Sequence, residues 1–241
     1  MLRELDVMRV IDREQAQVVA GFHSIRRAND RLLNLTRAGL LNRVFTGTVA
    51  TGQKAVYLLS PKGAALVDAK LPGLAMRKSP FGPSPLLLHR LAINDIYLTL
   101  KYRALPQPEM RFQRWIGFRE ALTPAIPLTP DGYAEIAAND GERALFLEVD
   151  LGTEPLSVWQ RKVQLYLQLA LSGGFETLFR QPQFRVLVIT TSERRLSGIR
   201  GVAAKFTDRI FRLTTFDQIR QHGFWSAIWH KSTGDQRLAL F

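Results

Sequence analysis

A row of basic and amide side chains near the amino terminus has the residue types and spacing needed to bind nucleic acid. Apolar residues recur at three- and four-residue intervals over residues 24–37, which predicts an amphipathic helix. At about 100° per residue, the opposite face carries Arg26, Arg27, Asp30, Asn34 and Arg37. Because arginine and asparagine hydrogen-bond to base edges and to phosphates, this face is predicted to bind DNA.

Acidic side chains stand at the ends of predicted strands in the second half of the chain. Asp131 begins one strand, and Glu148 and Asp150 close the next on one face, because strand side chains repeat every two residues. Lys162 lies on the following helix, four residues before Tyr166, so these two side chains share a face. A lysine in this apolar segment needs an anionic partner. Glu148 is the candidate partner, and the alternative is a lysine that extends to solvent.

The elements that position the basic face are predicted from caps and periodicity. Three helices are expected at residues 2–11, 13–21 and 24–37. Two strands of a hairpin follow at residues 42–46 and 54–59. Three helices and a hairpin are typical of a winged helix–turn–helix domain, which we assign to residues 1–75. Arg43 at the base of the hairpin and Lys54 on its far strand are predicted to meet the DNA backbone.

Charge and composition favour a nucleic-acid partner and a folded protein. The chain has 241 residues and a formal net charge of +12, and residues 1–80 carry 13 Lys and Arg against 6 Asp and Glu. A positive charge of this size points to a polyanionic partner. The chain has no cysteine, and no apolar run reaches the roughly 18 residues of a membrane span. A cytoplasmic protein without a membrane partner is therefore expected.

The second half of the chain is predicted to alternate helices and strands. Proline and glycine cluster over residues 72–85, which predicts a linker at residues 76–85 before a domain at residues 86–241. A helix at residues 85–105 precedes three strands, at residues 109–118, 132–137 and 143–149. A helix at residues 154–171, apolar nearly all round and so expected to be buried, precedes another strand. The predicted fold class is α+β or α/β.

The order of one helix, three strands, a helix and a strand resembles the PD-(D/E)xK nuclease superfamily. Pro130-Asp131, followed by Glu148-Val149-Asp150, matches the positions of its acidic motif. The resemblance implies that Asp131 and Glu148 bind Mg²⁺ or Mn²⁺, with Asp150 as a further ligand or an acid just outside the ligand shell. It also implies that these acids are catalytic.

The sequence departs from this superfamily at the lysine of its motif. Position 150 is aspartate, whereas the family lysine that assists the attacking water stands two residues after the acid. Some members carry the lysine on the following helix, where Lys162 lies. Lys162 with Tyr166 is similar to the Gln-xxx-Tyr motif of certain exonucleases of the superfamily. Asp95, on the helix before the strands, is a candidate for the extra acid of some members.

A second resemblance covers nearly the whole chain. The segments NDRLLNLTRAGLL, HRLAINDIYLTL, PDGYAEI and FLEVDLGTE, with the later KVQLY, are similar to the replication-relaxation family. The resemblance implies a protein of plasmids or other mobile elements that joins a winged helix to a nuclease-like domain. Its implied partners are double-stranded DNA and replication or mobilisation proteins.

Three functions remain open on the sequence. The first is a DNA-binding protein whose nuclease-like domain only binds DNA or a partner. The second is an active Mg²⁺-dependent endonuclease in which Lys162 assists the water. The third is a repressor whose C-terminal domain dimerises or senses a ligand, and a homodimer with a two-fold DNA footprint would be typical of it. The sequence favours DNA binding over catalysis.

Overall fold

The computed structural model describes residues 1–46, 53–69, 85–139 and 141–241 of the chain. These residues form two compact units, Met1–Arg103 and Ala104–Phe241, and each contains helices and a sheet. The protein is therefore of the mixed α+β class. Among the described residues, no helix has the length and apolar character needed to cross a membrane.

The N-terminal unit surrounds a three-stranded antiparallel sheet of order β1–β3–β2. In chain order, its described elements are α1 (Leu2–Met8), β1 (Ile11–Asp12), α2 (Arg13–Ala20), α3 (Ile25–Arg37), β2 (Leu41–Thr46), β3 (Lys54–Leu59), α4 (Pro61–Leu66) and α5 (Pro85–Tyr102). Strands β2 and β3 pair from Leu41 with Leu59 to Thr46 with Lys54, which confirms the predicted hairpin strands. Residues 47–52 between them lie outside the described residues.

Polar caps fix where α2 and α3 begin. The carboxylate of Asp12 accepts a hydrogen bond from the amide of Gln15 at 2.8 Å, and the hydroxyl of Ser24 accepts one from the amide of Arg27 at 3.4 Å. Gly21 ends α2 in the left-handed conformation at φ 62°, which a glycine adopts without steric cost. The predicted starts of both helices are confirmed.

The first helix is shorter than predicted. Arg9 has φ 66° and ends α1, so Val10 and Ile11 do not continue the helix. Ile11 instead pairs with Tyr57 of β3, and Val10 is buried against Val56 of the same strand. Apolar periodicity alone could not separate these residues from the helix, because both conformations bury them.

Helix α5 belongs to the N-terminal unit, whereas the sequence predicted that it would open a second domain at residue 86. Its Asn94 side chain donates to the carbonyl of Val10 at 2.7 Å, and the carbonyl of Leu91 accepts from Gln15 at 2.9 Å. Lys101 binds the carboxylate of Glu4 at 2.7 Å. These polar contacts fix α5 on the first unit, so the boundary follows Arg103. Residues 76–84 of the predicted linker lie outside the described residues.

The C-terminal unit contains a seven-stranded sheet of order β10–β9–β8–β7–β6–β5–β4. Its described elements are β4 (Arg111–Ile116), β5 (Gly132–Ala138), β6 (Gly141–Asp150), α6 (Leu156–Leu171), α7 (Gly174–Phe179), β7 (Phe184–Thr190), α8 (Glu193–Ala204), β8 (Phe211–Thr215), α9 (Phe216–His222), β9 (Trp229–His230) and β10 (Arg237–Leu238). Strands β6, β7 and β8 run parallel, and the other pairs are antiparallel.

Helix α6 covers one face of this sheet with a single apolar stripe. Trp159, Val163, Tyr166 and Leu169 are fully buried and pack with Phe146 of β6. On the opposite side, Gln160, Arg161, Gln164 and Gln168 are exposed, so the prediction that α6 is buried all round was wrong. The polar side chains between its apolar residues keep that side in water. This stripe places Tyr166 and its neighbour Lys162 over the end of β6.

Candidate nucleic-acid interface and candidate active site

The outer face of α3 is exposed and basic. It carries Arg26, Arg27, Arg31, Asn34 and Arg37, all exposed. The opposite stripe of Ala28, Leu32 and Leu35 is buried, so packing in the core fixes which side of α3 faces solvent. Within the described ranges, none of these arginines has an acidic partner. Asp30 is the acid exposed among them.

Arg31 is the residue of this face that was not selected from the sequence. It lies four residues after Arg27, and this spacing places the two guanidinium groups on neighbouring turns of the same side. The signal was present in the sequence, but Arg31 stands next to the buried stripe in helical projection. The structure shows that it is exposed.

The two predicted contacts at the hairpin differ in their surroundings. Arg43 is exposed on β2, and its guanidinium lies 4.8 Å from the centre of the exposed Phe45 ring. Lys54 instead binds Asp12 at 2.7 Å and approaches Glu14 at 3.5 Å. Because two carboxylates balance its charge, Lys54 is a weaker candidate for a phosphate contact than the sequence suggested.

The carboxylate of Glu148 is the centre of a buried polar cluster at the carboxyl end of β6. One oxygen accepts from the hydroxyl of Tyr166 at 2.6 Å, and the other accepts from the ammonium of Lys162 at 3.0 Å. Lys162 also binds Glu154 at 2.9 Å. The Glu148 side chain is only 1% exposed. The structure therefore brings together three residues that the sequence singled out, and it adds Glu154.

Burial dominates the electrostatics of this cluster. It raises the pKa of Glu148 to about 7, against the opposing effect of Lys162, and the nearby charge of Asp131 raises it further. Burial also raises the pKa of Tyr166, in the same direction as its contact with Glu148. For Lys162, burial alone would lower the pKa, but Glu148 and Glu154 hold it above its ordinary value. Lys162 is therefore a cation at neutral pH.

Asp150 faces the same side of the sheet but is held by different partners. Its oxygens accept from both ends of the Arg195 guanidinium, at 2.9 Å and 2.6 Å, and from the indole of Trp159 at 2.5 Å. The amide of Gly152 donates at 2.6 Å. These donors outweigh burial and hold the pKa of Asp150 below its usual range. Arg195 was not identified from the sequence.

The remaining predicted acids do not complete a ligand shell. One oxygen of Asp131 accepts from the amide of Val149 at 2.7 Å. Asp95 lies on α5, and its carboxylate accepts from Gln15 at 2.6 Å within the N-terminal unit. Asp95 therefore has a partner that explains its position without a role in catalysis.

The donor set does not fit the divalent metal that the PD-(D/E)xK resemblance implied. Both oxygens of Asp150 are committed to cationic or amide donors, and both oxygens of Glu148 accept from the helix above them. In the described part of the chain, no group of three or more His, Asp or Glu residues is placed to hold a metal ion. The arrangement is that of buried charges matched by fixed partners.

A comparison with known families places the chain in a defined class. The family model described as replication-relaxation matches residues 2–179, which include α3, Glu148, Lys162 and Tyr166. The chain belongs to the replication-relaxation family. No curated protein matches it, and no solved structure matches it either. The match ends at α7, so β7, α8 and β8 lie beyond the matched residues.

Proposed function

We propose that this protein binds double-stranded DNA through its N-terminal unit, with α3 as the recognition helix. The observation that carries the proposal is the exposed face of α3, where four arginines without acidic partners in the described ranges accompany Asn34. Arginine binds phosphates and guanine edges, and asparagine binds adenine edges. The description of the family, replication-relaxation, supports a role for this binding in plasmid replication or relaxation.

The arrangement of the N-terminal elements supports a winged helix–turn–helix. Helices α2 and α3 are joined by a short turn through Gly21, and α3 is followed directly by the β2–β3 hairpin. In this motif the second helix of the pair, here α3, enters the major groove, while the hairpin contacts the backbone. Arg43, exposed on β2, is the hairpin residue that suits a phosphate contact.

Replacement of Arg27 and Arg37 by alanine tests this proposal. We expect the double variant to bind a mixed-sequence duplex at least about tenfold more weakly at low salt, because each charged hydrogen bond contributes roughly 1.5–3 kcal/mol. The slope of log affinity against log salt should flatten by about 0.9 for each phosphate that the variant no longer neutralises. Fluorescence anisotropy over a salt series measures both quantities.

The matched control removes the same charge elsewhere. Arg161 on α6 and Arg194 on α8 are exposed, so the variant Arg161→Ala/Arg194→Ala has the same net charge as the α3 variant. It should bind DNA nearly as the wild type does. If the α3 variant keeps full affinity, or if both variants lose affinity equally, α3 is not the recognition helix.

We propose further that the Glu148 cluster is structural and that the C-terminal unit binds DNA or a partner without cutting DNA. The commitment of Glu148 and Asp150 to Lys162, Tyr166 and Arg195 supports this proposal. Catalysis would require these carboxylates to leave buried donors before they could bind a metal. An endonuclease in which Lys162 assists the water remains the opposed hypothesis.

Nicking of supercoiled plasmid separates these two hypotheses. Wild type and Glu148→Gln are compared with Mg²⁺ and with Mn²⁺, at protein concentrations that give equal DNA binding. We expect no metal-dependent nicking from either protein. Nicking by the wild type that is absent in the variant would instead make Glu148 catalytic and would overturn the structural role.

A further inference from the structure

A cavity of about 600 Å³ opens at the amino-terminal ends of strands β6, β7 and β8. Its walls come from the first residues of these three strands and the residues just before them, and from the end of α6 and the start of α7. Glu148 and Asp150 stand at the carboxyl end of β6, so the cavity lies at the opposite end of the same strands. Its volume is in the range of small-molecule sites.

Arginines dominate the charge of this cavity. Four of them line it, from all three strands or the residues just before them: Arg143, Arg185, Arg209 and Arg212. In the described part of the chain, the acids in its wall are Glu142 and Glu176, and Glu142 accepts a hydrogen bond from Gln181. The lining therefore carries an excess of positive charge.

The hydrogen bonds of the two inner arginines, Arg185 and Arg212, do not balance the charge of their own guanidinium groups. Arg212 is only 8% exposed, and its guanidinium donates to the carbonyls of Arg209 at 3.0 Å and Phe211 at 2.8 Å. Arg185 donates to the carbonyl of Leu240 at 2.6 Å. Carbonyl oxygens use some of the five N–H donors of a guanidinium but do not neutralise its charge.

Burial and neighbouring charge lower the pKa of the two inner arginines, which remain cations at neutral pH. Burial lowers the pKa of Arg185, and the charge of Arg143 lowers it further. Burial and the charge of Arg185 likewise lower the pKa of Arg212, although Asp208 opposes them. Holding like charges together in a partly buried place is costly unless an anion joins them. Groups perturbed in this way are frequent at binding sites.

We propose that this cavity binds a phosphate-bearing ligand. The planar guanidinium presents paired donors that match two oxygens of one phosphate, and several arginines suit a dianion better than a single carboxylate. Ile210, which is partly exposed, gives the wall an apolar part. The ligand is either a small phosphate compound or the phosphates of a nucleic acid. This site is separate from α3 and does not depend on the proposed role of that helix.

Calorimetric titration of the full chain tests the proposal with pyrophosphate and with a short DNA duplex as probes. Sodium chloride at equal ionic strength controls for screening. Saturable pyrophosphate binding, weakened about tenfold or more in Arg212→Met, is the expected result. Arg209→Ala is a second variant, because Arg209 is exposed and its replacement poses little risk to folding. Arg194→Ala, which removes one exposed charge from α8, should bind as the wild type does.

The outcomes also distinguish the two sources of phosphate and keep this site apart from α3. Binding of the duplex but not of pyrophosphate, reduced in Arg212→Met and Arg209→Ala, identifies nucleic-acid phosphates as the ligand. Pyrophosphate binding that survives Arg27→Ala/Arg37→Ala shows that the cavity acts independently of α3. The proposal is overturned if pyrophosphate does not bind saturably and duplex binding is unchanged in Arg212→Met and Arg209→Ala. It is also overturned if Arg194→Ala weakens binding as much as Arg209→Ala and Arg212→Met do.

Discussion

The two ends of strands β6, β7 and β8 differ in the partners of their buried charged side chains. At the carboxyl end, Glu148 meets Lys162 at 3.0 Å and Asp150 meets Arg195 at 2.6 Å, so each buried carboxylate has a cation beside it. At the amino end, Arg185 and Arg212 donate to carbonyl oxygens, and the charge of Arg185 lowers the pKa of Arg212. We call the carboxyl end, where buried carboxylates have cationic partners, the matched end. We call the amino end, where Arg185 and Arg212 donate only to carbonyl oxygens among the described residues, the unmatched end.

This difference helps to distinguish charged residues that stabilise the fold from charged residues that bind a ligand. A buried ion pair with all its hydrogen bonds made is destabilising to break, because the remaining charge has no water and no partner. Like charges held together oppose folding, and they gain free energy when a ligand of the opposite sign arrives. The residues that a motif search would select lie at the matched end. The comparison predicts that mutations there reduce stability, whereas mutations at the unmatched end reduce ligand binding.

The largest effect on stability is expected from Arg195→Met. This change leaves Asp150, whose side chain is 0% exposed, without its guanidinium partner. We expect the free energy of unfolding in urea to fall by about 3–5 kcal/mol. The neighbouring and exposed Arg194→Met should change it by less than about 0.5 kcal/mol. Equal, small losses in the two variants would mean that the carboxyl end is not held together by its ion pairs.

A smaller effect, visible as a pH dependence, is expected from Glu148→Gln. The pKa of Glu148 is about 7 in the folded protein, above the 4.5 of an ordinary glutamate. The folded state therefore binds this proton more tightly than the unfolded chain does. The contribution of Glu148 to stability is greatest below pH 4.5 and is lost as the pH rises through about 7.

Urea unfolding at about pH 5 and about pH 8 measures this dependence. Relative to Glu148→Gln, the wild type should lose on the order of 2 kcal/mol between these values. Other groups titrate in both proteins and cancel in the difference. A difference that grows with pH would have the opposite sign, and it would mean that Lys162 lowers the pKa of Glu148 more than burial raises it.

The contacts that could be predicted from the sequence are local, and those that could not are long-range. Asp12 and Ser24 cap their helices through residues three positions away, and capping preferences identify such starts. Four-residue spacing placed Lys162 and Tyr166 on one face of α6. The pair of Arg195 with Asp150 joins residues on separate elements through the parallel pairing of β6 and β7, which no local pattern encodes.

The dependence on long-range contacts also explains why the sequence misplaced the domain boundary and favoured Lys54 as a phosphate contact. Helix α5 is apolar along much of its length, and the hydrogen bond from Asn94 to Val10 that fixes its place joins residues 84 positions apart in the sequence. Lys54 has the position of a phosphate contact on its strand. Its partner Asp12 is brought near only when β1 pairs with β3.

The smallest effect on stability is expected from Arg212→Met at the unmatched end. The variant loses two hydrogen bonds to carbonyls, but it also removes a buried charge that repels Arg185. Because these changes oppose each other, the free energy of unfolding in urea should change by less than about 1 kcal/mol. Arg195→Met, which removes a guanidinium from the other end, is the direct comparison. If Arg212→Met costs as much as Arg195→Met, its guanidinium is structural too. The contrast between the two ends would then have to rest on ligand binding alone.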